Sequence, residues 1–230
     1  MEKDSFVSLT ELEELHIVDC GLRTMELGAF NGLTELTVLI IRGNDISEII
    51  PSTFENMNNL RYLGLFNNGI EHLDRDVFSG LVNLNEINLQ RNKIKYIHPD
   101  TFLGLPKLQT LLLGYNPTLT IPTDRNLINS HSLSYLVLPD SSVISLSVET
   151  FANVSAIGLM DVSENNLRTV DVNILRALPK LYTVYLNGNP LQCDCQLQEV
   201  WRWCEDHNIQ TASGKYAPEC NTPSEVEGMW

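Results

Sequence analysis

The chain is poor in the residues and patterns on which most biochemical activities depend. Its 230 residues hold 15 Lys plus Arg against 29 Asp plus Glu, a formal net charge of −14. Contact with nucleic acid needs a concentrated basic surface, so no nucleic-acid partner is expected. No apolar run approaches the roughly 18 residues of a membrane-spanning helix, so no membrane insertion is expected of this stretch. No linker or low-complexity tract divides it. A Gly-rich phosphate loop, a His-Glu-x-x-His pair and a nucleophile elbow are all missing, and His16, His72, His98, His131 and His207 show no metal-ligand spacing. The expectation is a protein that is not an enzyme and needs no cofactor or metal.

One class of residue does recur at fixed intervals. Cys20, Asn44, Asn68, Asn92, Asn116, Ser141, Asn165 and Asn189 are separated by 24, 24, 24, 24, 25, 24 and 24 positions. Apolar residues stand eight, five and three places before each marker and usually two after it, as in Leu36, Leu39, Ile41, Asn44, Ile46. The residues at minus five and minus three are two apart, so they share one side of a short strand while their neighbours take the other. Leu111 and Leu113 are therefore expected inside and Leu112 outside. A second column stands ten and thirteen places after the marker: Phe30 and Leu33, Phe54 and Met57, Phe78 and Leu81, Phe102 and Leu105, Phe151 and Val154, Leu175 and Leu178. One unit cannot bury both columns alone, so each needs neighbours above and below.

These residues resemble those of the leucine-rich repeat family. The resemblance implies an α/β fold: a right-handed leucine-rich repeat solenoid, or horseshoe, with a parallel concave sheet and a disulfide-stapled C-terminal cap. Residues 1–191 read as about eight 24-residue repeats, and eight strands at the usual spacing make a sheet roughly 34 Å long. Phe6, Leu9 and Leu12 are already in phase with Phe30, Leu33 and Leu36, so the repeat is expected to be running before residue 1, with the N-terminal side truncated. Each marker is expected to pair backbone groups of successive coils in a ladder, with Cys20 as a buried thiol on its first rung and Ser141 making part of the same bonding.

Residues 192–230 read as the cap. The run Asn189-Pro190-Leu191-Gln192-Cys193-Asp194-Cys195 precedes Leu197, Val200, Trp201 and Trp203 at helical spacing, then Cys204, Cys220 and Pro223. This is similar to the cysteine-rich C-terminal flanking module of extracellular leucine-rich repeat proteins of the Slit and Toll-like receptor type. The resemblance implies a Cys193–Cys220 disulfide, a partner for Cys195 beyond Trp230, an incomplete cap and an oxidising compartment. Cys204 departs from the four-cysteine pattern. A Cys195–Cys204 bridge is disfavoured, because a helix between them would hold their Cα atoms roughly 13 Å apart; Cys204 paired with Cys220, or free, remains open. The cysteine gaps do not fit a common zinc site. Asn153-Val154-Ser155 is a glycosylation acceptor on the outer side.

Function is expected on the concave face, at the strand positions minus six, minus four and minus two. Two apolar and aromatic clusters stand there: Val38, Ile40, Tyr62 and Phe66, and Leu112, Tyr115, Tyr135 and Val137, with Tyr185 further along and Glu14, Arg42, Glu86, Arg91 and Asp161 at the rim. Such patches mark protein contact sites, although β-propensity favours the same residue types. His16 reads as solvated or as a pH-sensitive contact. The coil between Asn116 and Ser141 carries an extra residue, has Thr118 in place of an aliphatic and offers Asn126 or Leu127 in place of Phe. The expected function is an extracellular protein-binding module, a receptor or adhesion ectodomain of the kind used in innate immunity, whose acidity serves solubility or draws a basic protein partner. The alternatives are a structural matrix protein that self-associates as a homodimer, and a regulatory subunit or inhibitor of an extracellular enzyme.

Overall fold

The computed structural model describes residues 1–211. Its main element is a sheet of short parallel strands: β1 (Glu14–His16), β2 (Val38–Ile40), β3 (Tyr62–Gly64), β5 (Glu86–Asn88), β7 (Thr110–Leu112), β8 (Tyr135–Val137), β9 (Leu159–Asp161), β10 (Thr183–Tyr185) and β11 (Gln210–Thr211), hydrogen-bonded in that order. A separate pair, β4 (His72–Leu73) and β6 (Tyr96–Ile97), lies in the segments that follow two of the markers. The first eight strands of the main sheet are the repeat strands, and we number the coils one to eight after them. The ninth, β11, comes from the segment beyond the repeats and was not foreseen.

Register follows the marker. Leu15, Leu39, Leu63, Ile87, Leu111, Leu136, Met160 and Val184 stand in line across the sheet. All but Leu15 are fully buried, because apolar side chains on that side have a core to enter and those on the other side do not. Each strand is brief because the chain turns immediately before the marker. The residue there adopts positive φ in every coil: Asp19, Gly43, Asn67, Arg91, Tyr115, Asp140, Glu164 and Gly188, at 49° to 68°. That conformation suits Gly, Asn and Asp and is strained for Arg, Tyr and Glu.

The asparagines form the expected ladder. Asn92 donates through Nδ2 to the carbonyls of Leu65, Leu89 and Gln90 and accepts at Oδ1 from the Ile70 N–H; Asn68, Asn116, Asn165 and Asn189 repeat this arrangement with small variations. Ser141 makes part of the same bonding, accepting from the Asn116 N–H at 3.4 Å and donating to Pro139 O at 3.1 Å. Cys20 departs from expectation. It is on the ladder, with its N–H donating to Asn44 Oδ1, but its free thiol is exposed rather than buried. It is the first marker among the described residues, and its rung is bonded to the next coil through Asn44.

Behind the strands the phenylalanines stack coil upon coil, Phe6 on Phe30, Phe54, Phe78 and Phe102, with centroids 5.7 to 6.3 Å apart. The stack stops at the irregular coil. There Leu127 and Ile128 enter the core and Ser130 is buried with them. A polar string ties that coil to its neighbours: Arg75 pairs with Asp100, Asp100 accepts from Asn129, and Asn129 accepts from Asn126 and Asn153.

α1 (Val172–Arg176), which precedes β10, packs against α2 (Cys195–Asp206), which follows coil eight. Asp194 caps α2, accepting from the N–H groups of Gln196 and Leu197 at 3.0 Å each. Leu197, Val200 and Cys204 form its buried stripe, with Trp201 partly covered. The stripe joins the hydrophobic core, with Cys204 rather than Trp201 as its third fully buried member. Cys195 and Cys204, which both lie on this one helix and so do not bridge each other, are free thiols; Cys193 is disulfide-bonded. Cys220, its expected partner, and Pro223 lie outside the described residues. Among the described residues no helix is long and apolar enough to cross a membrane.

Candidate functional site: the concave sheet

The outward rows of the sheet carry the side chains named from the sequence. Val38 is registered against Tyr62 and Ile40 against Gly64, so the first cluster is continuous across two coils. Gly64 is bare for a reason: a Cβ there would fall 3.0 Å from Tyr62 Cε1 and 3.3 Å from its hydroxyl oxygen. The edge and hydroxyl of the Tyr62 ring therefore lie over Gly64. Its phenol holds its proton more tightly than usual, mainly because burial disfavours the charged form; the Asn88 side chain opposes this and the nearby Glu86 charge adds to it. Glu86 itself is half-buried, and burial raises its pKa. No hydrogen bond or ion pair to its side chain occurs among the described residues.

The second cluster also forms. Leu112 is registered against Val137 and Thr110 against Tyr135, and Tyr115 and Tyr135 are exposed, at 37% and 38%. Of the rim residues, Arg42 stands 5.9 Å from the Phe66 ring centroid and Arg91 stands 4.5 Å from that of Tyr115. Both are cation–π distances, the second the closer. His16 lies 3.9 Å from Glu14 in an exposed contact. Four outward positions, Gly64, Gly114, Ser163 and Thr183, are buried by their neighbours.

One aromatic escaped the sequence reading. Tyr182, seven places before its marker and just outside the strand, is 47% exposed and extends over Gly158 of coil seven, where a Cβ would lie 3.0 Å from its Cδ1. Its phenol pKa is raised, chiefly by hydrogen bonding to the Tyr135 side chain and with a smaller contribution from Tyr185. Tyr182 thus reaches across Gly158 of coil seven to Tyr135 of coil six, with Tyr185 nearby. The available signal was Gly158 in line with Tyr182, one coil apart, which only a reading of the minus-seven row would have used.

The leucine rich repeat family model matches residues 10–70, 65–117 and 131–191, leaving out the irregular coil at 118–130. A phospholipase A2 inhibitor of Gloydius brevicaudus siniticus is 31% identical over 96 residues, covering 42% of this chain and 28% of that protein. Among solved structures, human 5T4 (trophoblast glycoprotein) superposes with a TM-score of 0.66 at 18% identity, covering 94% of this chain and 90% of that one. A chain of the octameric complex of Latrophilin 3, Unc5D and FLRT2 (LRR) gives 0.67 at 23% identity, covering 94% and 72%. The last two likenesses concern the fold.

Proposed function

The chain belongs to the leucine-rich repeat family, and from that premise we infer that it is a non-catalytic, extracellular protein-binding module, which docks a protein partner on its concave sheet. The observation that carries this reading is the surplus of large apolar and aromatic side chains at outward positions. The core uses the inward row alone, so Val38, Ile40, Tyr62, Phe66, Leu112, Tyr115, Tyr135, Val137 and Tyr185 have no folding task that smaller polar residues could not perform. Aromatic anchors ringed by Glu14, Arg42, Glu86, Arg91 and Asp161 follow the usual anatomy of a protein interface. A leucine-rich repeat protein within a multi-protein complex is among the structural neighbours, which supports a protein as the ligand. The chain spans less than a third of the length of the inhibitor it matches, so this reading concerns the module. In the longer protein the module serves as part of a receptor or adhesion ectodomain. Its similarity to an inhibitor favours, as the second reading, restraint of an extracellular enzyme through the same face.

The repeats end near residue 191, and residues 192–230 are the cap, with Cys193 and Cys220 joined. Asn153 is the glycosylation site. It is exposed on the polar string, away from the strands, so a glycan there leaves the concave face open.

A glycan wedge tests the docking face. Glu86→Asn with Asn88→Thr places an acceptor sequon on β5 without touching the core residue Ile87; Glu48→Asn with Ile50→Thr does the same away from the sheet. For a partner captured from a panel of purified extracellular proteins, the first variant should lose binding by at least about a hundredfold while the second stays near wild type. Equal binding by both would overturn the concave-face reading.

A further inference from the structure

The two arginines of the concave face already stand over aromatic rings of their own chain, Arg42 over Phe66 and Arg91 over Tyr115. The tyrosines of coils six and eight differ. Tyr135 and Tyr182 are the more exposed pair, 38% and 47%, and no arginine or lysine of the described residues stacks on them or on Tyr185. The ring of Tyr182 lies over Gly158 and its hydroxyl meets the Tyr135 side chain of coil six, so the two exposed tyrosines adjoin.

Charge at this end of the sheet has one sign. The outward and turn positions of coils six to eight carry Asp140, Asp161 and Glu164 and no Lys or Arg. Asp161 is registered directly between Val137 and Tyr185, about 4.8 Å along the sheet from each, and about 8 Å diagonally from Tyr135. Asp161 Oδ1 accepts from the Ser163 N–H at 2.9 Å and from its hydroxyl at 2.6 Å. These bonds fix the carboxylate and leave its second oxygen without a protein donor among the described residues. A fixed carboxylate beside an open aromatic surface suits a guanidinium, which can stack on a ring and donate to an acid in the same pose.

We propose that Tyr135, Tyr182, Tyr185 and Asp161 form the subsite that receives an arginine-bearing segment of the protein partner. The proposal rests on the concave-face reading and deepens it. Arginine is favoured over lysine because its planar group satisfies ring and carboxylate together, as Arg91 already does with a ring on this same sheet. Asp140 and Glu164, at the far ends of their strands, would then guide a segment that crosses the sheet.

The probe is a capped peptide of alternating arginine and glycine, with the citrulline peptide of the same length as its neutral isostere. Binding is measured by calorimetry at about 0.15 M salt, where general attraction to an acidic protein is screened beyond roughly 8 Å. The arginine peptide should bind and the citrulline peptide should not. Tyr135→Ala with Tyr182→Ala should weaken binding about tenfold, as loss of two cation–π contacts implies. The matching double change to Phe keeps the rings and should bind within about twofold of wild type. Asp161→Asn should weaken it severalfold, and Glu48→Gln, which removes the same charge elsewhere, should not. No binding by the arginine peptide, or equal loss from Asp161→Asn and Glu48→Gln, overturns the subsite. So does retention of affinity in the folded Tyr135→Ala, Tyr182→Ala protein. Wild-type self-association abolished by the tyrosine change would assign the patch to a second copy and also overturn it. The glycan wedge reports on docking separately, so the subsite can fail while the face survives.

Discussion

The ladder asparagine shows what a single side chain must do in this fold. Asn92 meets three carbonyls and one N–H from two coils, and all but the bond to the Gln90 carbonyl, which is partly buried, are buried. Asn92→Ala strands these groups and should cost about 2–4 kcal/mol by urea unfolding, the range for several buried polar groups left unpaired. The turn residue before each marker makes the opposite demand. Glu164 holds φ of 53° with a side chain that makes no hydrogen bond among the described residues. Glu164→Gly should therefore stabilise the protein by about 0.5–1 kcal/mol, the strain of the left-handed conformation less the entropy glycine adds to the unfolded chain. Cys204 provides a pH test. Burial first, and the charge of Glu205 second, raise its pKa to about 11, whereas an unfolded thiol titrates near 8.5. The folded chain keeps the proton longer, so this contribution to stability is complete below about pH 8.5 and declines as pH rises toward 11. Cys204→Ala should remove that part of the decline in unfolding free energy measured across the same range. Single-residue features were also the least legible in the sequence. The marker and the two apolar columns could be read directly, but positive φ at Arg91, Tyr115 and Glu164 could not, since those residue types do not signal it. Cys20 was misjudged because a place on the ladder does not by itself bury the thiol.

Among the elements, the phenylalanine stack is the clearest product of periodicity. Phe78 lies between Phe54 and Phe102 and is almost wholly buried. Its replacement by Ala should cost about 3–5 kcal/mol in thermal or chemical unfolding, since a cavity bounded by coils on both sides cannot collapse. The stack ends where the extra residue of the irregular coil shifts the chain, and Leu127 takes the place that Asn126 would hold at the regular spacing. The sequence offered both residues; side-chain polarity decided between them, because burying the amide would need partners that the leucine does not. The helix α2 was legible from Leu197, Val200 and Trp201. The strand β11 was not, because two residues joining a sheet edge through backbone bonds leave no side-chain pattern.

At the scale of the whole molecule, each coil touches its neighbours and little else, so the outward rows are free to carry recognition without weakening the stack. The fold was legible from the period, and so was the orientation of the eight repeat strands. The contact of Tyr182 with Tyr135 across coil seven was not, since it joins positions from two different rows across a bare glycine. The concave face as the recognition surface is the claim on which the rest turns. Its most direct test is oxidative footprinting of the tyrosines in the free and partner-bound protein. Tyr62, Tyr135 and Tyr182 should become protected on binding while Tyr96, exposed on the β4–β6 side, stays as reactive as before. Protection of Tyr96 with the three concave tyrosines unchanged would contradict the account.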